Sequence, residues 1–351
     1  MPAPRPSSST PSNIDEAITV PARMQAIVSR GWGPSARLAL ADCATPRPGP
    51  GDIQLRVMAA SVNPKDWKLN ANAGKALGAV GRRLRPFFGD DLAGIVTAVG
   101  ENVTDIAVGD AIYGMDMRPR TAALAEYAVI DARRVAPKPD TLSFAEAASL
   151  PLAGQTALQG LRDHAHVQPG HAVLIIGAGG GVGTLAVQMA RAMGCEVTAV
   201  CSARNEERAR ALGACAVIDY TREDFHRPGG RWDGRFDAVF DVTSFDTPAR
   251  CRHLLKSGGR FVSTGGGAGS HLAVIREQAR QRWPGAQAIS ASVVIVESWR
   301  ADLEQLTAWV AAGQLRPIID RHYPLADAQG AYDYSRSGRA QGKIVIDGAP
   351  A

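Results

Sequence analysis

Residues 173–183 read VLIIGAGGGVG, an apolar run that passes through a glycine-rich turn into a helical pattern. Glycines let backbone approach a ligand closely, and a helix that starts at such a turn offers unpaired N–H groups and a partial positive charge. That combination suits phosphate. The order strand, turn, helix and second strand is the one a dinucleotide fingerprint requires. Ala178 stands at the position of its first glycine, and Gly179, Gly180, Gly181, Val182 and Gly183 complete it. Gly180 would admit the pyrophosphate and Gly183 would let helix and strand pack closely. The plainer alternative is a glycine-rich turn with no ligand.

The end of the second strand bears on which dinucleotide is bound. NAD-binding chains place an acid there, about twenty residues on, to hold the ribose hydroxyls. Here the residues are Cys201-Ser202-Ala203-Arg204-Asn205. Ser202 can donate to a 2′-phosphate and Arg204 can neutralise it, where a carboxylate would repel it. Tyr220, which ends the next strand in VIDY, can offer its hydroxyl to the same group. Arg204 alone could be a surface arginine; together with the missing acid it points to NADPH. Strands that end at Asp241-Val242-Thr243 and at Thr264-Gly265-Gly266 would line the nicotinamide half, because such sheets bind ligands at their carboxyl ends. Val242, Thr264 and Gly265 are therefore cofactor candidates. Backbone groups of Val293 and Val294 either hold the carboxamide or belong to a plain buried strand.

The elements that must position these residues fall into two rhythms. The 351 residues, 45% hydrophobic and 21% charged, are enough for two cores of ordinary globular composition. From Met24 to about Leu150, short β-rich runs (AIVS, DIQLRVMAASV, AGIVTAVG, DAIYG, LAEYAVI) alternate with turn clusters, which favours an irregular barrel or sandwich. Ser143 reads as the N-cap of a helix from Phe144. From about Pro151 to Arg316, strands alternate with helices, the pattern of a doubly wound parallel sheet. TPARCRHLLKSG reads there as a helix before the strand RFVSTGG. From Ile318 on, a helix around LADAQGAYDYSRS precedes the strand GKIVID, which cannot bury itself and is expected to return to the first domain. The expected division is a flexible tail over 1–20, a first domain over 21–150 and 317–351, and a dinucleotide-binding domain over 151–316.

Several classes are disfavoured. The net charge of +5 is modest and its basic residues are scattered, apart from Arg82, Arg83 and Arg85, so no nucleic-acid arm is expected. No apolar run is long enough for a membrane helix, and MPAPRPSSSTPSN lacks the apolar stretch of a signal peptide. The five cysteines, an odd number without a Cys-x-x-Cys pair, argue against disulfides and suggest a cytoplasmic location.

ASVNPKDWK (60–68), GDDLAGIVTAVGENV (89–103), AEYAVI, LPLAGQTALQGL and GRAQGKIVI appear in one order along nearly the whole chain after the tail. In this they resemble the medium-chain dehydrogenase/reductase superfamily, specifically its zinc-free quinone-reductase and enoyl-reductase-like branch. The resemblance implies an α/β fold: a GroES-like β-barrel domain, a Rossmann domain inserted in it, and a cofactor cleft between them. It implies hydride transfer from NADPH to a quinone or an α,β-unsaturated carbonyl compound. It places Thr156 against the nicotinamide, Lys343 near the cofactor phosphates, and Asn63 facing the cleft. Zinc enzymes of the superfamily carry a Cys where this chain has Asn63 and a His where it has Asp90, and they carry a four-cysteine lobe that these cysteines could not form. No metal is therefore expected. Quinone reductases of the branch often place tyrosines where this chain has Lys68 and Gly74. Lys68 is the catalytic candidate beside Asn63: a cationic donor in a partly desolvated cleft could protonate an enolate. Asp66 is expected to fix the loop, and Tyr113 and Tyr127 to pack the barrel. Two other readings stay open: a trans-acting enoyl-thioester reductase of a polyketide or fatty-acid pathway, and a non-catalytic NADPH-binding or sensing protein. The superfamily also suggests a homodimer, paired through the edge strand SVVIVES.

Overall fold

The computed structural model describes residues 19–30, 37–67, 88–118, 121–265, 268–281, 283 and 288–348. Lys68, Gly74, the arginines at 82, 83 and 85, Gly266 and the expected tail up to residue 18 lie outside them.

The first part of the chain supplies β1 (Arg23–Arg30), β2 (Arg37–Ala44), β3 (Asp52–Val62), β4 (Asp91–Val99), β5 (Ala111–Met115), β6 (Tyr127–Asp131) and β7 (Val135–Pro137). β1 and β2 pair as an antiparallel ribbon, bridged to the rest at Ala26 and Ala125. The others join β14 (Ile319–Pro324) and β15 (Lys343–Asp347) in one sheet of order β14-β15-β3-β4-β5-β7, with β6 also on β3. This is the GroES-like domain. Ile53, Leu55, Leu92, Val96, Ile112, Ile130 and Ile346 fill its interior. The last strand does return: β15 runs antiparallel to β3, pairing Ile344 with Val62 and Ile346 with Ala60. Its neighbour β14 carries too few apolar residues to stand out in the sequence, and its burial is slight.

β8 (Ala172–Ile176), β9 (Glu196–Cys201), β10 (Ala216–Asp219), β11 (Phe236–Asp241), β12 (Leu255–Ser263) and β13 (Ser290–Val293) form an all-parallel sheet of order β10-β9-β8-β11-β12-β13. The order reverses between β8 and β11, so a ligand crevice opens at the carboxyl ends of these two strands. β8 reads as a continuous apolar run because both its faces are covered. Val173 and Ile175 join one core, and Leu174 and Ile176 the other.

The helices that matter for the site are α1 (Phe144–Ala148), α2 (Pro151–Gln159), α3 (Gly181–Ala192), α4 (Glu206–Ala211), α5 (Pro248–Cys251), α6 (Ala268–Arg280), α7 (Arg300–Ala311) and α8 (Ala328–Arg336). Ser143 caps α1 in a reciprocal box with Glu146. The expected helix over TPARCRHLLKSG stops early. Thr247 caps a single turn, a 3-10 turn follows, and Leu255 already opens β12. Pairing of Leu255 with Phe236 on β11 outweighs local helical propensity there.

The two sheets share one core. Ala59, Ala93, Tyr113 and Val345 of the barrel pack in the same cluster as Leu158, Leu185 and Leu306. Tyr113 is fully buried, and its hydroxyl donates to the Leu303 carbonyl of α7 at 2.6 Å and lies 3.0 Å from Thr307 Oγ1. It is both a packing residue and a tie between domains. Tyr113→Phe should keep the fold but lose about 1 kcal/mol, the net worth of one buried hydrogen bond; denaturant titration beside the parent protein checks this.

Candidate active site

The glycine-rich turn has the geometry a pyrophosphate needs. Gly177 directly follows β8 with φ +88°, a conformation open to glycine. The left-handed residue thus sits one place before the fingerprint's first position, which is why buried Ala178 is tolerated there. A Cβ on Gly183 would lie 2.1 Å from the Gly177 carbonyl oxygen, so this glycine is required for the crossing of α3 over β8. A Cβ on Gly180 would meet nothing closer than 3.7 Å. That face is open, and Gly180 caps α3 with extended backbone, leaving the first N–H groups of the helix directed at the crevice.

A cavity of about 640 Å³ runs from this turn along the ends of β8, β9 and β10. Gly177, Gly179, Gly180, Ser202, Arg204, Tyr220 and Thr243 all line it. The structure therefore brings together the three residues that sequence reasoning assigned to the 2′-phosphate. Arg204 also meets a residue remote in the chain. Arg204 Nη2 lies 3.4 Å from the carbonyl oxygen of Arg339, and Arg204, Arg321 and Arg339 line an adjoining pocket. Arg339 lies far away in sequence, in GRAQG, so no local spacing could have revealed it. Three carboxylates line the large cavity: Glu223 pairs with Arg231 at 2.5 Å, Asp246 pairs with Arg250 at 3.0 Å, and Asp224 accepts the His226 N–H at 3.1 Å.

Asp241 is fully buried at the end of β11 and organises the next turn. Its Oδ1 accepts from the Thr243 N–H at 2.9 Å and its hydroxyl at 2.6 Å, and its Oδ2 accepts from the Asp246 N–H at 3.0 Å. Thr264 donates its hydroxyl to the Val242 carbonyl oxygen at 3.2 Å. Gly265 has φ +77°, and a Cβ there would fall 2.7 Å from Val293 Cγ1. The Val294 N–H bonds to Ser263 at 2.8 Å. Val242, Thr264, Gly265, Val293 and Val294 are thus neighbours at the ends of β11, β12 and β13.

The barrel closes this crevice with a buried polar knot. Lys343 Nζ donates to Asn63 Oδ1 at 2.7 Å and lies 3.2 Å from Asp91 Oδ2. Asn63 Nδ2 and Ser61 Oγ donate to the same Asp91 oxygen at 2.9 and 2.6 Å. Asp91 Oδ1 takes the Leu152 N–H at the start of α2, at 2.7 Å. A Cβ on Gly181 would lie 2.8 Å from Lys343 Cδ, so the lysine stem lies across the phosphate turn. The Asn63 amide thus gives one N–H and its oxygen to the knot. Thr156 spends its hydroxyl proton on the Leu152 carbonyl at 2.7 Å. Asp66 accepts from the Asn63 N–H at 2.9 Å and so fixes the loop. Burial, reinforced by Asp90, holds its carboxyl well above the usual carboxylate range, with the Asn63 bond working against them. Asp90 is pushed up to about 6, again by burial first, with Lys65 opposing.

Two family profiles match the chain. "Alcohol dehydrogenase GroES-like domain" covers residues 49–140 and "Zinc-binding dehydrogenase" covers residues 212–346. The 2-methylene-furan-3-one reductase of Solanum lycopersicum is 31% identical over 98% of this chain and 84% of its own length. The chain belongs to the medium-chain dehydrogenase/reductase superfamily. The trans-enoyl reductase pgmF of Aspergillus terreus is 32% identical over 85% of this chain and 86% of its own. The quinone oxidoreductase structure from Coxiella burnetii superposes with TM-score 0.80 at 32% identity, covering 93% of this chain and 99% of that one. Within the superfamily, the chain is an oxidoreductase of the quinone oxidoreductase and enoyl reductase-like branch, a family that binds a nicotinamide cofactor and acts on small molecules. No helix among the described residues is long and apolar enough to cross a membrane.

A catalytic zinc does not fit the donors at the cleft. Three N, S or O ligands are needed. The Asn63 amide is bonded to Asp91 and Lys343, and the ammonium of Lys65 already lies 2.5 Å from Asp90. Among the described residues, His226, Asp246 and Cys251 are the one group with metal-ligand spacing. They sit beside the large cavity, where Arg250 holds Asp246 and burial pushes the Cys251 thiol up.

Lys343→Met should cost about 3–5 kcal/mol, because it strands the Asp91 carboxylate inside the protein. Denaturant titration is the check, and a loss under 1 kcal/mol would contradict the role given to this pair.

Proposed function

We propose that this chain is an NADPH-dependent, zinc-independent reductase that transfers hydride to quinones or α,β-unsaturated carbonyl compounds. The observation that carries the cofactor choice is the meeting of Ser202, Arg204 and Tyr220 in one cavity at the end of β9, without an acid where the ribose hydroxyls of NADH would need one. The fold around the turn fits the rest of a dinucleotide. Gly179, Gly180, Gly181, Val182 and Gly183 would take the pyrophosphate on the start of α3, with Ala178 behind them and Lys343 across them. Thr156, Val242, Thr264, Gly265, Val293 and Val294 would border the nicotinamide.

When bound, the nicotinamide supplies the hydride. The protein's own work is to orient the acceptor, exclude water and supply a proton. Without a Lewis acid, oxidation of an alcohol is hard to promote, while an electron-poor double bond needs only a donor for the anion that hydride leaves behind. The second amide N–H of Asn63 would be one such donor. The proton would come from the segment that follows it, which carries two lysines, Lys65 and Lys68. Enoyl thioesters present the same conjugated carbonyl, and the likeness to a trans-enoyl reductase favours them as the second substrate class. Binding of NADPH without turnover is the outcome that a non-catalytic protein would show.

β13 leaves one edge of the parallel sheet unpaired among the described residues, and Ile295 and Trp299 beyond it are 71% and 55% exposed. A second copy of this chain, paired there about a two-fold axis, would cover them; the native mass in solution should be twice that of one chain.

The activity test is NADPH oxidation with a panel of quinones, enones and enoyl thioesters, in the presence of a chelator. Turnover should persist with the chelator and favour NADPH over NADH. Arg204→Ala should raise the NADPH KM about 10- to 100-fold, the worth of a charge-assisted hydrogen bond, and leave the NADH KM unchanged. Equal losses with both cofactors would refute the 2′-phosphate assignment.

A further inference from the structure

One ion pair at the cleft is used neither by the phosphate turn nor by the knot around Asp91. Lys65 Nζ lies 2.5 Å from Asp90 Oδ2. Lys65 belongs to the helical turn at 64–67, directly after Asn63, and Asp90 immediately precedes β4. The surroundings place the pair at the barrel end that meets the nucleotide domain. Asp91, the next residue, bonds to the start of α2. The Asp90 carbonyl accepts from the Asp116 N–H at 3.1 Å, and Met115 beside it accepts from Ser298 Oγ at 2.7 Å. The two partners differ in access: the Asp90 side chain is 10% exposed and that of Lys65 is 29% exposed. Of the two side chains, that of Asp90 is the more buried and that of Lys65 keeps some contact with solvent.

We propose that Lys65 donates the proton that completes the reduction and that Asp90 is its positioning residue. This rests on the reading that the chain reduces conjugated carbonyl compounds. Hydride brings two electrons to the β-carbon, and the C=C π pair moves so that the carbonyl oxygen carries the enolate charge. One N–H bond of Lys65 then breaks as a C–H bond forms at the α-carbon. The neutral amine regains a proton from solvent on its exposed side. One NADPH and one proton are consumed for each double bond saturated.

The neighbouring charges explain why Lys65 is held here. Asp66 comes from the same turn, Asp91 from β4, Asp116 from the end of β5 and Tyr332 from α8. Arg118 is taken by Asp116 at 2.5 Å and Lys343 by Asp91 and Asn63. Among the described residues, Lys65 is the cation within ion-pair distance of Asp90. Burial raises the Asp90 carboxyl to about 6, so the pair is intact above that pH and loosens as pH falls through it.

The test uses a cyclic enone with an α-methyl group, NADPH and D₂O. The parent protein should deliver deuterium to one face, giving a single α-epimer. Lys65→Met and Lys65→Arg should each lower kcat about 100-fold or more, the range for loss of a general acid. Both should leave the NADPH Kd within about twofold and give mixed α-epimers, because the released enolate is then protonated by solvent. Arginine keeps the charge and the ion pair but does not give up its proton, so it separates donation from folding and electrostatics. Asp90→Asn should abolish the fall of kcat near pH 6. A kcat within threefold and a single epimer in both Lys65 variants would overturn the inference, as would loss of stereocontrol in Lys68→Met instead. If the parent protein oxidises NADPH with no acceptor of the panel, the proposed function fails and takes this inference with it. Turnover that is indifferent to Lys65 removes this inference alone.

Discussion

The interaction on which the site depends is the buried pair of Asp91 and Lys343. Two charges taken out of water are costly, and they are tolerated only where each remaining lone pair or proton is met. Here that condition is satisfied by Ser61, Asn63 and the Leu152 N–H. The consequence is spatial. Lys343 is the first residue of the last strand, Asp91 the first of a central barrel strand, and Leu152 the start of the helix that leads into the nucleotide domain. One electrostatic contact thus ties together three parts of the chain that are remote in sequence, and it lays the Lys343 stem over the glycine-rich turn.

The same constraint accounts for the chemistry left to this cleft. Where zinc relatives would gather metal ligands, the Asn63 amide is committed to the knot and Asp90 is paired with an ammonium. Positive charge is supplied by lysines fixed in place. A lysine can stabilise a developing anion and can also give up a proton, which suits reduction of polarised double bonds better than activation of an alcohol. Beside the end of β9, Arg204, Arg321 and Arg339 line a second pocket.

The local signals were legible where one physical requirement dominates a short stretch. VLIIGAGGGVG announces a buried strand, a turn and a helix because each needs its own composition. Ser143 with Glu146 announces a helix start. Where competing requirements meet, the sequence was less informative. LLKSG has helix-compatible residues but is drawn into β12 by its neighbour β11. β14 is half-exposed, so its pattern is weak, and its identity comes from pairing with β15. Gly177 rather than Ala178 carries the left-handed turn, a distinction that dihedral angles make and composition does not.

The sequence by itself determined the glycine-rich phosphate turn, the missing acid after the second strand and the absence of cysteine and histidine where zinc relatives hold their metal. These are statements about residue type at short range, and residue type is what a sequence records. The tertiary structure decided which distant residues share a site. It brought Arg339 to Arg204, Lys343 to Asp91 and Lys65 to Asp90. Such partners are chosen by the closure of the barrel and the docking of its last strand, over separations at which no periodicity or spacing survives in the chain.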